Sequence, residues 1–314
     1  ETGDDVTFSV SGTEISVTSD GTLTFNNAPD YEAKTSYTIT VTASDGVNTT
    51  DQSITININN LNDNNPVFTS SSILSGDENQ NSIDTVTASD ADGDSVTFTI
   101  SGSDLAITSD GILTFVAQPD YESVTSFTAV ITASDGELTT DQNVTINVNN
   151  LNDNAPVYTA ATSLNASENQ TSAFTVTATD ADGDALTYAI SGGADKDSFS
   201  INGTSGVVVF NTAPDYETKT SYVIVVDVLD GGYTTSQEVS INITDVNEAP
   251  VFSSSNSLSA DENQTSVATL SASDPEGTTI TYGISGVDVS SLSISSDGVL
   301  TFNSAPNFES KNTY

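Results

Sequence analysis

The chain repeats itself at a spacing that leaves few architectures open. The strings "PVFTSSSILSGDENQ", "PVYTAATSLNASENQ" and "PVFSSSNSLSADENQ" begin at Pro66, Pro156 and Pro250, so the register advances by 90 and then by 94 residues. A second marker, "PDYE", starts at Pro29, Pro119 and Pro214 and degenerates to "PNFE" at Pro306. Self-similarity at such a period means tandem copies of one folding unit. The register predicts the later part of one module over residues 1–65, complete modules over 66–155 and 156–249, and the front two-thirds of another over 250–314. The opening "ETG" reads either as a vector remnant or as part of the acidic loop of the repeat.

Within each module the apolar residues alternate, as in "VTFTI" (residues 96–100), "FTAVITA" (127–133) and "QNVTINV" (142–148), with Thr, Ser or Asn between them. Period two is the pattern of a strand with one face buried. Asp-Gly steps at Asp20, Asp110 and Asp297 lie between such runs and favour hairpins. With no helical periodicity and some seven short strands per module, the expected fold is all-β, a tandem set of seven-stranded Greek-key β-sandwiches arranged end to end. The joints are the short runs "NNLNDNNPV" from Asn59, "NNLNDNAPV" from Asn149 and "DVNEAPV" from Asp245. They are too brief and too particular to act as flexible tethers.

Charge limits the partners. The chain has 44 Asp and Glu against four lysines and no other cation, a formal charge of −40. Nucleic acid and anionic membrane are thereby excluded as electrostatic partners, and cations are favoured. The plentiful Val, Ile, Thr, Tyr and Phe still allow packed cores. No cysteine is available for disulfides or thiolate sites, and no histidine for Ser-His or Cys-His catalysis or the usual zinc sets. There is no apolar run of the roughly eighteen residues that a membrane helix needs, and no signal peptide is recognised at the start.

The acids are not scattered. "ENQ" brings Glu78, Glu168 and Glu262; "DADGD" brings Asp90 with Asp92 and Asp180 with Asp182. "DYE" brings Asp30 with Glu32, Asp120 with Glu122 and Asp215 with Glu217, and the "DG" turns bring Asp45, Asp135 and Asp230. Asp63, Asp153 and Glu248 lie in the linkers. Any one Asp before Gly is first a turn residue, Tyr121 of "DYE" is a core residue whatever its neighbours do, and an Asn-rich linker can satisfy backbone groups unaided. The set, however, returns in one order in every module. In an end-to-end sandwich its loops collect at the poles, where uncompensated carboxylates would repel one another. Calcium accepts six to eight oxygens from carboxylates, amides and carbonyls in irregular geometry, whereas magnesium demands a tighter octahedron. Calcium is therefore the expected cofactor, with several ions per chain.

These motifs resemble the cadherin repeat over the whole chain, most specifically in "GGADKDSFSINGTSGVVVFNTAPDYE" (residues 192–217). The resemblance implies three calcium ions at each joint between domains. Ligands implied at the first joint are Asp30, Glu32, Asn62, Asp63, Asn64, Asp90, Asp92 and Asp135. At the second they are Glu78, Asp120, Glu122, Asn152, Asp153, Asn154, Asp180, Asp182 and Asp230. At the third they are Glu168, Asp215, Glu217, Asp245, Asn247 and Asp274, with Glu276 set aside. The family linker opens on Asp, where Asn60 and Asn150 stand here, and the third linker is one residue shorter with Glu248 in place of an Asp-Asn pair. "DPEG" from Asp274 replaces "DADG", and Asn307 replaces the Asp of "DYE". Fullest ion occupancy is expected at the second joint and least at the third.

The chain has no Trp, so adhesion by exchange of a Trp-bearing strand is not supported. Its Thr, Ser, Asn and Asp-rich style resembles the stalk repeats of large bacterial surface adhesins. Seven Asn-x-Ser/Thr sequons, Asn48 among them, are of the kind a Thr- and Asn-rich chain generates by chance. The function expected is an extracellular, cell-surface stalk for adhesion, stiffened by calcium at its joints. The alternative is a calcium-dependent binding module for surface glycans or for like modules, although no aromatic platform for sugar stands out. Catalysis is not expected: paired carboxylates such as Asp120 and Glu122 could exchange protons, but a motif present in every module marks no unique active site.

Overall fold

The computed structural model describes residues 5–314, and the opening "ETG" lies outside the described residues. It divides into two compact units, residues 1–151 and 152–314. Strand character follows from the alternation. In Thr139–Asn149, Val144, Ile146 and Val148 are buried while Asn143, Asn147 and Asn149 are exposed. Against it, in register, runs Ser126–Ser134, whose Ile131 and Ala133 are fully buried.

In the first unit, Thr7–Val10, Ser36–Ser44 and Thr49–Asn57 form a three-stranded antiparallel sheet, and Ile15–Val17 pairs with Leu23–Phe25. The repeat that follows is more elaborate. One sheet orders Thr97–Ile100, Ser126–Ser134, Thr139–Asn149 and Ile73–Asp77; the other orders Leu105–Ile107, Ile112–Phe115 and Ser82–Thr85. Their inner faces share one core of Val86, Phe98, Leu105, Leu113, Phe115, Ile131, Val144 and Ile146, with Tyr121 packed against its edge as expected. Phe115 and Phe127 stack tilted at 5.3 Å between centroids, a favourable aromatic geometry.

Sequence patterning did not reveal how the repeat begins. Val67–Phe68 pairs antiparallel with Ala88–Ser89, whereas Ile73–Asp77 switches to the opposite sheet and pairs parallel with Thr145–Asn149. This switch closes the sandwich and draws "ENQ" to the end of the last strand, where Glu78 N–H donates to Asn149 O at 3.2 Å.

In the second unit the same plan recurs. Ser163–Ser167, Thr234–Thr244, Ser221–Leu229 and Thr187–Gly192 form one sheet, and Ser172–Thr175, Val207–Phe210 and Phe199–Ile201 the other. Val208, Phe210, Ile224, Val226, Val239 and Ile241 fill the core. Downstream, Ser266–Thr269, Val299–Phe302 and Leu292–Ile294 make a three-stranded sheet, and Val251–Phe252 pairs with Ala272–Ser273.

The Asp-Gly turns close hairpins as the alternation implies. Ile107 faces Leu113 across the Asp110 turn, and Thr108 N–H reaches Ile112 O at 3.0 Å. Gly111 at φ +88° carries the reversal, and a Cβ there would lie 2.1 Å from Val86 O, so only glycine fits.

Candidate metal centres

At the first linker the asparagines have a defined task. Asp63 and Asn64 donate their backbone N–H groups to Asp92 Oδ2 at 3.1 and 2.9 Å, and Asn64 Nδ2 donates to Asp92 Oδ1 at 2.9 Å. Asn60 Nδ2 donates to the Asp92 carbonyl at 2.7 Å. The linker thus wraps onto the "DADGD" loop, and amides are needed because a carboxylate could not donate. Burial works against the Asp92 charge, but the Asn64 and Asp63 donors outweigh it and hold the carboxyl below its ordinary value. Its neighbour Glu32 moves the other way. Burial and the Asp92 carboxylate beside it raise its carboxyl above the ordinary value.

Glu32, Asp63 and Asp92 each place a carboxylate oxygen within 4.8 Å of the others, as do Asp90, Asp92 and Asp94. Asp90 accepts the Asp92 N–H on Oδ1 at 2.9 Å, and Asp135 accepts those of Glu137 and Leu138 on Oδ1 at 2.8 and 2.7 Å. Burial raises the Asp135 carboxyl, but these donors and the Asn62 side chain beside it prevail and lower it. The second oxygen of each, Asp90 Oδ2 and Asp135 Oδ2, is buried without any hydrogen-bond partner, and so is Asn62 Oδ1. Three acceptors removed from water and given no donor are costly in a protein interior.

The acids expected at the second joint divide between the two units. In the first unit, Glu78 is 1% exposed and accepts Tyr121 N–H and Leu151 N–H, one on each oxygen, both at 2.7 Å. Asp120 spends its oxygens on the turn, taking Glu122 N–H at 3.2 Å and the Ser123 hydroxyl at 2.9 Å. In the second unit, Asp153 and Asn154 wrap onto Asp182 as their counterparts wrap onto Asp92, with Asn154 Nδ2 2.9 Å from Asp182 Oδ1. Asp180, Asp182 and Asp184 form the matching triad. Asp230 takes Tyr233 and Gly232 N–H on Oδ1, and these, with the Asn152 side chain, outweigh burial and lower its carboxyl. Asp180 Oδ2 and Asp230 Oδ2 are again buried and unpaired.

At the third linker Glu168 repeats the role of Glu78, accepting Tyr216 N–H and Val246 N–H at 2.7 Å each. Glu168, Asp215 and Glu217 bring their oxygens within 4.8 Å of one another. Glu217's own N–H lowers its carboxyl, but burial and the charges of Glu168, Asp245 and Glu276 raise it on balance. Asp215 also caps its turn, with the Thr218 hydroxyl at 3.0 Å, as Asp30 does with Ala33 N–H at 3.1 Å. Asp274 takes Thr278 N–H at 3.1 Å, and Asn247 donates to the Glu248 carbonyl at 3.0 Å.

Two residues outside the sequence-derived ligand set stand out here. Glu276 accepts Glu248 N–H at 2.8 Å, and Glu248 Oε2 and Glu276 Oε2 are both buried and unpaired. The Glu276 carboxyl beside it, with burial, pushes the Glu248 carboxyl up to about 7, although Asn169 donates to it. Glu276 is the place-equivalent of Asp92 and Asp182, so "DPEG" keeps the acid and lengthens it. Register alignment alone offers that signal. Asp94 and Asp184, the last acids of "DADGD", were legible in the same way.

The donor sets fit a hard dication: they are all oxygen, mix carboxylates with Asn carbonyls, and leave buried oxygens unpaired. Among the described residues no helix is long and apolar enough to cross a membrane.

Comparison with known proteins agrees with this construction. A family model described as the cadherin domain matches residues 162–244. Cadherin EGF LAG seven-pass G-type receptor 1 of Mus musculus is 29% identical over an alignment that takes in 83% of this chain and 10% of the receptor. Cadherin-23 of Rattus norvegicus is 33% identical, over 84% of this chain and 9% of its own length. The chain therefore spans about a tenth of the curated relatives it matches. Among solved structures, the human desmocollin-1 ectodomain superposes with a TM-score of 0.63 at 20% identity, over 98% of this chain and 69% of that one. The protocadherin γB4 extracellular domain does so with a TM-score of 0.54 at 25% identity, over 97% and 56%. Cadherin repeats are structural and adhesive modules rather than enzymes, in keeping with acids that recur in every copy. By its repeat, its sandwich topology and these relatives, the chain belongs to the cadherin repeat family.

Proposed function

We propose that this chain is an extracellular stretch of a cell-surface adhesion protein whose linkers bind calcium, and that the bound ions stiffen the stalk. The observation that carries the reading is the buried, unpaired oxygen on Asp90, Asp135, Asn62, Asp180, Asp230, Glu248 and Glu276, seven groups that all lie in linker or linker-facing loops. At the first linker Asp30, Glu32, Asn62, Asp63, Asn64, Asp90, Asp92 and Asp135 would hold calcium. At the third the set is Glu168, Asp215, Glu217, Asp245, Asn247 and Asp274, joined by Glu248 and Glu276. The residues assigned to the second linker in each unit offer the same donor types.

Calcium would supply positive charge and oxygen ligation. The protein's own part is to organise the acceptors: Asn64 and Asn154 orient Asp92 and Asp182, and Glu78 and Glu168 tie the "DYE" turn to the start of the linker. With free calcium well above its dissociation constant, mass action adds several kcal/mol to the ordered state. The test is a calorimetric calcium titration of the whole chain beside small-angle scattering in calcium and in chelator. Saturable binding of several ions, weakened by Asp135→Asn, with a stiffer chain in calcium, supports the proposal. Absence of binding heat and superimposable scattering profiles would overturn it.

A further inference from the structure

Three of the four lysines in this strongly acidic chain serve one purpose. Lys34, Lys219 and Lys311 stand at the same place after the "DYE" or "NFE" marker, three residues before Tyr37, Tyr222 and Tyr314. Each ammonium lies over its tyrosine ring, 4.1, 4.6 and 4.6 Å from the centroid. Each also pairs with a carboxylate on the neighbouring loop: Glu14 at 2.6 Å for Lys34, Asp195 for Lys219 and Asp288 for Lys311. An asparagine completes the arrangement by bridging to the same loop, Asn26 Nδ2 to Thr13 O at 2.7 Å, Asn211 Nδ2 to Asp197 O and Asn303 Nδ2 to Ser290 O at 2.9 Å each.

The repeat over residues 66–155 breaks this pattern at three positions together. Val116 stands for the asparagine, Val124 for the lysine and Phe127 for the tyrosine. The carboxylate remains. Asp104 occupies the place of Glu14, since Val116 N–H donates to Asp104 O at 2.9 Å as Asn26 N–H donates to Glu14 O at 2.8 Å. Its side chain has no ion pair or hydrogen bond among the described residues. The outcome is an open notch of about 300 Å³ between Asp104, Val116, Pro119, Val124 and Phe127. Val116 and Val124 are 59% and 40% exposed, apolar surface that a solvated edge does not require.

We infer that this notch is a docking site for a lysine side chain of a partner protein, whose stem covers Val116 and Val124 and whose ammonium meets Asp104 and the Phe127 ring. The sister repeats carry that occupant within their own chain, and so show that an aromatic face beside a carboxylate on this scaffold holds a lysine. Charge favours the same occupant, because a chain at −40 attracts basic partners over long range. Asp120, one of the calcium ligands assigned to the second linker, also lines this notch, so the two sites adjoin and calcium is kept saturating in the test.

The test uses the whole chain in millimolar calcium at physiological salt, with methyl and aromatic NMR shifts followed as Nα-acetyl-lysine methylamide is added. Saturable shifts confined to Val116, Val124 and Phe127, weakened about five-fold by Asp104→Asn and abolished by the Val124→Lys, Phe127→Tyr double variant, establish the site. Equal shifts with the norleucine analogue, which lacks the ammonium, would overturn the assignment. So would shifts spread over the linker acids, or binding unchanged in Asp104→Asn.

Discussion

Glu168 offers a way to separate what the scaffold needs from what a metal needs. It is 3% exposed, and each oxygen accepts a backbone N–H at 2.7 Å, one from Tyr216 in the "DYE" turn and one from Val246 in the linker. Glu168→Gln keeps one acceptor and turns an NH2 toward the other N–H, leaving one buried donor unpaired. Glu168→Ala leaves both unpaired and opens a small cavity. A buried donor without its acceptor costs about 1–3 kcal/mol, so Gln should cost about 1–3 kcal/mol and Ala about 2–6 kcal/mol. Urea unfolding followed by tyrosine fluorescence, in chelator throughout, reads this without any contribution from calcium. At a slope of about 1–3 kcal/mol per molar, the Gln variant should move the midpoint down by roughly 1 M. If Gln in chelator unfolds with the wild-type chain and the loss appears only in calcium, Glu168 is a ligand alone and its role as a backbone pin is refuted.

Other consequences follow from the same structure. Phe210→Ala, which empties a buried ring from a packed aromatic cluster, should cost about 3–5 kcal/mol in chemical denaturation. Gly111→Ala imposes a left-handed φ on a residue with a Cβ and drives it into Val86 O, so a loss of at least about 1–3 kcal/mol should appear as a lower melting temperature. The Glu248 carboxyl, held at about 7 against an ordinary 4.5, keeps its proton more tightly in the folded chain. Its contribution in chelator is therefore complete below the unfolded value and is lost as pH rises through about 7. Calcium added near pH 6 must displace that proton, so titrations in buffers of different ionisation heat should show proton release that fades above pH 7 and is reduced in Glu248→Gln.

Much of this protein is local enough to be read along the chain. A period of two in "QNVTINV" decides which face of Thr139–Asn149 is buried because side chains on a strand alternate sides whatever the rest of the fold does. The "DG" turns require glycine for steric reasons confined to a few atoms, and recurrence of the acids needs only the register to be seen. What the tertiary structure alone decided involves groups distant in sequence. The parallel pairing of Ile73–Asp77 with Thr145–Asn149 brings Glu78 to Tyr121 and Leu151, and no pattern within either strand encodes that encounter. Which oxygen of Asp90 or Asp135 lies buried and unpaired depends on the linker folding over the loop. Glu276 read as a departure from "DADG" until its place beside Glu248 showed that a longer acid reaches the same position. The notch at Asp104 arises from three substitutions, each unremarkable along the chain, that share one surface only because the hairpin and the "DYE" turn pack side by side. Short-range sterics and alternation are written residue by residue, whereas burial, pairing and convergence of charge are properties of the packed whole.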